Sequence, residues 1–267
     1  MRAGRHLKLT VLGSGTSVGV PTLGCQCRVC QSPDPRDKRL RPSVYIEVDG
    51  WGLLIDTAPD LRQQALRTGI RRIDAILYTH AHADHILGLD DVRPFNFHQR
   101  GPIPIYGSAE TIEIIQRCFA YIFDENESQS SRPRLVVNIF DDAPLRIGPL
   151  TIQPIPLIHG RGRSHGFRFG PVAYLTDHSD ISPDSRAKLH GLDVLFLDAL
   201  RKRPHPTHTT LEEALRWVEE LRPRYAYLTH ICHELGHEET ERELPPHVRL
   251  AYDGLELTVP LPEELDD

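Results

Sequence analysis

Four side chains able to hold a metal ion fall within six residues of this chain: His80, His82, Asp84 and His85, after the run Ile76-Leu77-Tyr78-Thr79. Imidazole nitrogen and carboxylate oxygen suit zinc and its neighbours in the first transition row. His80 and His82 alternate, so an extended chain points both the same way. Asp84 and His85 are adjacent, and serve a second ion more naturally than they crowd the first. Four ligands do not fill two sites, and three further candidates each follow an apolar run: His159 after Ile155–Ile158, Asp177 after Tyr174-Leu175-Thr176, and His230 after Tyr227-Leu228-Thr229. Any one histidine is more simply a satisfied core or surface residue. For the four together that reading fails, because burying so many polar groups without partners costs several kcal/mol. A metal would satisfy them all. For Asp177 and His230 the competing reading is a turn residue at a strand end, which the repeated context of His80 outweighs.

A second cluster is made of thiols. Cys25, Cys27 and Cys30 lie in a turn-rich insertion at about residues 21–42. Three thiolates at this spacing can share one ion, and structural zinc wants a fourth ligand. His233 is the choice, with Cys232 beside it as the alternative. Buried free thiols are the competing reading, and the polar Gln26 and Arg28 and the flanking prolines argue against it. Cys118 lies on an apolar helical face and belongs to the core.

Around these clusters stand weaker candidates. Asp56, ending Leu53-Leu54-Ile55, either accepts a hydrogen bond from a ligand histidine or is a turn residue. Gly13-Ser14-Gly15-Thr16-Ser17 lacks the Lys-Ser/Thr ending of a phosphate loop and reads as a tight turn lining the site. Arg161, Arg163 and His165 follow His159 and could meet a phosphate, although charged loop residues are more often merely solvated; the same holds for Arg201-Lys202-Arg203. His178 is not expected to be a ligand, because strand neighbours point to opposite faces.

The elements that must position these groups are legible in outline. Strands are expected over Leu7–Leu12, Val44–Val48, Leu53–Ile55, Ala75–Thr79, Arg134–Phe140, Leu150–Ile158, Val172–Thr176, Val194–Leu197 and, last, Tyr225–Thr229. Helices are expected over about Pro59–Thr68, Ser108–Phe123 and Ser182–Leu189, and from a capping box at Thr210-Leu211-Glu212-Glu213 to Leu221. Asp124–Pro133 reads as a loop. Two groups of strands, each mixed with helices, suggest two helix-covered sheets in one domain spanning 1–267. The chain has 267 residues, 39% apolar and 25% charged, enough to bury a full core. A net charge of −6 and a pI of about 6.2 favour a small anionic substrate over a long nucleic acid. No apolar run spans a bilayer, no signal-peptide core is present, and five cysteines with three crowded together indicate a reducing cytoplasm.

The stretch His80-Ala81-His82-Ala83-Asp84-His85, with the later ligands in order, resembles the signature of the metallo-β-lactamase superfamily over nearly the whole chain. The resemblance implies an α+β fold, a four-layer αββα sandwich with a binuclear site at one edge. It implies that His80, His82 and His159 hold one ion, that Asp84, His85 and His230 hold the other, and that Asp177 bridges them. Gly24-Cys25-Gln26-Cys27-Arg28-Val29-Cys30 together with Leu228-Thr229-His230-Ile231-Cys232-His233 is similar to the PhnP-type cyclic-phosphate phosphodiesterases of the bacterial carbon–phosphorus lyase pathway. That similarity implies a structural zinc on the three cysteines and His233. It also implies hydrolysis of phosphoribosyl cyclic phosphate or nucleoside 2′,3′-cyclic phosphates. His208 matches a histidine of that subgroup that protonates the leaving oxygen; an exposed loop histidine, like nearby His205, is the simpler alternative. The expected reaction is attack by a metal-bridged hydroxide on a small phosphodiester, with Zn, Mn or Fe as the two catalytic cations and Asp84 and His208 as catalytic residues. A tRNA 3′-processing-type nuclease, a lactonase or a thioesterase is the alternative on the same site, and a non-catalytic metal-binding or sensor protein the alternative of another class. A homodimer is compatible with the sequence.

Overall fold

The computed structural model describes residues 5–124 and 131–262. Its strands are β1 His6–Gly13, β2 Ser43–Val48, β3 Trp51–Ile55, β4 Ala75–Leu77, β5 Ile103–Gly107, β6 Leu135–Ile139, β7 Leu145–Ile147, β8 Leu150–His159, β9 Gly162–Phe169, β10 Val172–Leu175, β11 Val194–Asp198, β12 Tyr225–Thr229, β13 Val248–Leu250 and β14 Glu256–Pro260. They form two seven-stranded sheets, ordered β14-β1-β2-β3-β4-β5-β6 and β13-β12-β11-β10-β9-β8-β7.

Period-two alternation explains how the sheets stack. Leu7, Leu9 and Val11 of β1 and Val44, Ile46 and Val48 of β2 face a core shared with Phe167, Phe169, Tyr174 and Phe196 of the other sheet. The interleaved Tyr45, Leu54 and Ile76 face Leu61, Ala65, Ile112 and Ile115 of covering helices. On the far side, Leu175, Leu195 and Leu197 pack against Leu211, Ala214, Val218 and Leu221 of the helix Leu211–Leu221. The result is helix, sheet, sheet, helix. β10 and β11 are buried along their whole length, which is why they read as unbroken apolar runs. Each fully buried Leu, Val or Phe contributes roughly 1.5–3 kcal/mol, so the strand ends are held by a well-anchored frame.

Helix ends follow local chemistry. Thr210 Oγ1 accepts from Glu213 N at 3.2 Å while Glu213 Oε2 accepts from Thr210 N at 2.8 Å, the reciprocal box expected from the sequence. The helix Leu61–Thr68 stops at Gly69, whose φ of 72° suits a residue without a Cβ.

Several expectations need correction. The helix over 108–123 breaks at Phe119 (φ −118°, ψ 40°) into Ala109–Cys118 and Ala120–Phe123. Cys118, the last residue of the first piece, is exposed and not in the core, since that helix buries Thr111, Ile112 and Ile115 instead. Tyr225–Thr229 is not the last strand: β13 and β14 follow it, and β5, β7 and β9 also went unread. Residues 125–130 of the expected Asp124–Pro133 loop lie outside the described residues. No helix among the described residues is long and apolar enough to cross a membrane.

Candidate metal centre

β3 to β6 run parallel, as do β10 to β13, and β8 shares the direction of β10 because β9 is antiparallel to both. Carboxyl ends of parallel strands open a crevice suited to ligands. The expected residues gather there. His80 follows β4, Asp177 follows β10, His159 ends β8 and His230 follows β12. Asp84 and His85 ride on the short helix Ala83–Ile86. Gly88 lets that helix lie against the segment joining β3 to the helix Leu61–Thr68: a Cβ there would sit 2.0 Å from Ala58 O.

The seven ligand candidates form two groups sharing Asp177: His80, His82, His159 and Asp177, and Asp84, His85, Asp177 and His230. In each group the ligand atoms lie within 4.8 Å of one another. His85 Nε2 stands 3.3 Å from Asp84 Oδ2 and 3.3 Å from Asp177 Oδ1. His230 Nε2 is 3.4 Å and His80 Nε2 3.7 Å from Asp177 Oδ2, and His159 Nε2 is 3.3 Å from His82 Nδ1. His82 is exposed while the other six are buried.

Hydrogen bonds on the outer side aim these rings inward. Asp56 Oδ2 accepts from His85 Nδ1 at 2.7 Å and from Thr79 Oγ1 at 2.8 Å, and Asp56 Oδ1 from Thr79 N at 2.9 Å. Having given its proton to Asp56, the Thr79 hydroxyl accepts from His80 Nδ1 at 3.1 Å. One buried carboxylate thus orients a histidine of each group. Asp56 is both things the sequence allowed, a histidine's acceptor and a turn residue with φ 62°. His159 Nδ1 donates to Thr207 O at 2.8 Å. The inward atoms His80 Nε2, His85 Nε2, His230 Nε2 and Asp84 Oδ2 are buried without a hydrogen-bond partner among the described residues. Orphaned donor-set atoms converging on one space fit divalent cations.

The charge balance agrees. Burial works against the Asp177 charge, yet His230, His85 and His80 hold its carboxyl well below the usual range. Asp84 is likewise held low by His85 and His230 against the opposing effect of burial. Burial opposes charge on His85 and His230 too, but Asp177 and its neighbours raise His85 well above the ordinary value and His230 to about 9. His80 is pushed well down, and His159 to about 4, chiefly by burial. The protein atoms alone thus balance their carboxylates with protons on two imidazoles, and a cation would displace those protons.

His208 lies on the loop between β11 and the helix Leu211–Leu221, but half-buried at this centre rather than exposed. Its Nδ1 is 2.8 Å from Asp198 Oδ2, its ring stacks on His230 at 4.5 Å and meets His159 edge-on at 4.9 Å. Asp198 Oδ1 also faces His230 Nδ1 at 3.8 Å. Sequence reasoning missed Asp198 because the strand was ended at Leu197; one residue more would have shown it closing β11 as His230 follows β12.

The thiols also converge. Cys25, Cys27 and Cys30 Sγ lie 3.2, 3.7 and 3.4 Å from His233 Nδ1, spacings that suit one tetrahedral ion between them. Cys232 lies outside this group; its sulfur accepts from Glu234 N. The buried Arg39 ties the insertion to the same loop, donating to Cys232 O at 3.0 Å and Leu235 O at 2.8 Å.

Other candidates fall away from the centre. His165 points into the fold: buried on β9, it pairs with Asp142 Oδ1 at 3.4 Å and meets Phe140 edge-on. Arg161 and Arg163 are exposed, Arg203 pairs with Glu234 and Lys202 with Glu243. His178 joins neither ligand group. The Gly13–Ser17 turn braces the chain beyond His230: Ile231 N donates to Ser14 O at 2.9 Å and Thr16 N to Ile231 O at 3.2 Å.

Fold and site together define a metal-dependent hydrolase. Residues 52–231 match the family model of the beta-lactamase superfamily domain, and the chain belongs to that superfamily, as a metallo-β-lactamase-fold hydrolase of the PhnP type. A crystal structure of a diphosphatase from the PhnP family superposes with a TM-score of 0.91 at 49% identity, covering 96% of this chain and 98% of that one. An octanoyltransferase of Porphyromonas gingivalis is 38% identical over 256 residues, 95% of this chain but 52% of that protein. The chain thus spans about half the length of that relative. Zinc-bound PqqB from Methylobacterium extorquens shares the fold, with a TM-score of 0.74 at 18% identity over 94% of this chain and 99% of that one.

Proposed function

We propose that the chain hydrolyses small phosphodiesters, cyclic phosphates such as phosphoribosyl 1,2-cyclic phosphate or nucleoside 2′,3′-cyclic phosphates above all. The observation that carries this reading is the pair of ligand groups sharing Asp177 with His208 held against them. Two divalent cations there, Zn, Mn or Fe, supply Lewis-acid polarisation of a phosphoryl oxygen and a water nucleophile available at neutral pH. His80, His82 and His159 would hold one of them and Asp84, His85 and His230 the other, with Asp177 common to both groups. Asp198 accepts a hydrogen bond from His208 Nδ1–H, so Nε2 is the atom that delivers a proton to the departing oxygen. Such an acid matters most when the leaving group is a sugar alkoxide. Cys25, Cys27, Cys30 and His233 hold a structural zinc that steadies the loop following His230, an arrangement suited to a reducing cytoplasm.

A second reading has its own support. The 49% identical diphosphatase points to a phosphoric anhydride, whose phosphate leaving group needs less protonation. The octanoyltransferase name belongs to a protein with about as much chain again outside the match, and gives an acyl arm to the test. Metal-loaded protein is assayed on cyclic phosphates, linear diphosphates and octanoyl thioesters. Turnover of the cyclic phosphate should lead, be abolished in His82→Ala, and fall about 10²–10⁴-fold in His208→Ala. Full activity of His82→Ala with no metal bound, or preferred turnover of a diphosphate or thioester, overturns the reading.

A further inference from the structure

Thr209 and His178 lie outside both ligand groups, yet they make an unusual contact beside the proton donor. Thr209 Oγ1 is 2.8 Å from His178 O and 2.8 Å from His178 Nδ1. A hydroxyl has one proton. The carbonyl has none to offer, so Thr209 donates to it and accepts from His178 Nδ1–H. This fixes the tautomer of His178 and leaves its Nε2 bare, buried and without a hydrogen-bond partner among the described residues. Thr209, His178 and Asp198 are each at most 1% exposed, so solvent does not readily replace any of these bonds.

The contact closes a ring around His208. His178 N donates at 3.1 Å to Asp198 Oδ2, the same oxygen that stands 2.8 Å from His208 Nδ1. Leu200 N donates to Thr209 O at 3.0 Å, and on the other side of His208 the carbonyl of Thr207 accepts from the ligand His159. The backbone on both flanks of His208 and the outer nitrogen of its ring are therefore each tied to a rigid strand end. Resting on the reading that His208 protonates the leaving oxygen, we propose that Thr209 and His178 are positioning residues: their two-bond clamp sets the height and direction of His208 over the crevice. The step it serves is a simple one. As the bond from phosphorus to the ring oxygen breaks, the Nε2 proton of the His208 imidazolium passes to that oxygen, which leaves as the neutral hydroxyl, and the ring is left as a neutral imidazole whose Nδ1–H still donates to Asp198.

A misplaced acid costs rate where the leaving oxygen needs a proton and little where it does not, which separates positioning from mere folding. The metal-loaded chain is assayed on a nucleoside 2′,3′-cyclic phosphate, whose leaving group is an alkoxide, and on bis(4-nitrophenyl) phosphate, whose nitrophenolate leaves unaided. Thr209→Val should lower kcat on the cyclic phosphate by about tenfold, part of the whole contribution of a general acid, with near-unchanged rate on the nitrophenyl ester and unchanged metal content. Thr209→Ser, which keeps the hydroxyl, should restore the rate. His178→Ala breaks the same clamp from its other end and should reproduce the selective loss, so the question stays answerable if Thr209→Val does not fold. Equal losses on both substrates, or loss of metal, overturn the clamp. If His208→Ala is itself unselective, the acid reading falls and the clamp with it; a selective His208→Ala beside unselective clamp variants removes the clamp alone.

Discussion

Asp56, Asp177 and His230 all adopt the left-handed backbone region, with φ of 62°, 52° and 58°. Non-glycine residues hold it at a cost on the order of 1–3 kcal/mol, and Asp and His are among those that visit it most readily. Leaving the extended path at the strand end turns Asp177 and His230 toward the crevice and sets Asp56 behind the ligand rings. Asp56 shows what this achieves, since it reaches His85 directly and His80 through Thr79, a histidine of each ligand group. Replacing it by Asn keeps the shape but puts an amide where two donors converge. Asp56→Asn should weaken divalent-ion affinity by about 10–100-fold, measured by competition with a chromophoric chelator. An unchanged affinity would mean that the ligand rings are aimed by packing alone.

At the scale of elements, what was legible follows from how each segment is buried. β3, β4, β10, β11 and β12 lie under helices on one face and a sheet on the other, so apolar runs marked them and the ligands beyond them. β9 carries Arg163, His165 and Arg168 among its apolar residues, and in sequence that looks like a charged loop after His159. β5 holds Pro104, which argues against a strand unless its neighbours are seen. The helical break at Phe119 left no signal, because no Gly or Pro marks it. Gly88 is an element-scale feature of the opposite kind, where a short motif encodes a close approach. Gly88→Ala forces Ala58 or the helix Ala83–Ile86 to move, so it should destabilise the protein by roughly 1–3 kcal/mol and displace Asp84 and His85. Gly101→Ala is the control, since a Cβ there meets only Gln99 O, at 4.0 Å. Equal melting temperatures and equal metal contents for the two variants would show that the approach at Gly88 is not limiting.

Across the whole molecule, the two sheets bring their strand ends to one edge and concentrate buried carboxylates and imidazoles there, which makes stability depend on pH and cation together. His85 and His230 have raised values in the cation-free fold, His230 about 9. The stability they contribute is complete below the unfolded histidine value of about 6.5 and is lost as pH rises through the folded value. His80 and His159 are depressed, His159 to about 4, so their contribution is present above about 6.5 and fades as pH falls toward the folded value. Cation-free protein should therefore be most stable between those limbs and weaken from neutral pH toward pH 9. Cations need the same imidazoles unprotonated, so their contribution grows over that interval. The gap in melting temperature between metal-loaded and chelator-treated protein should accordingly widen steadily from pH 6.5 to pH 9. His230→Gln removes one of the two raised groups and should flatten that rise, which separates it from the pH dependence of the thiol cluster. A gap that stays constant with pH, or widens as much in His230→Gln, would show that the imidazoles at the strand ends do not carry the countercharge when cations are absent.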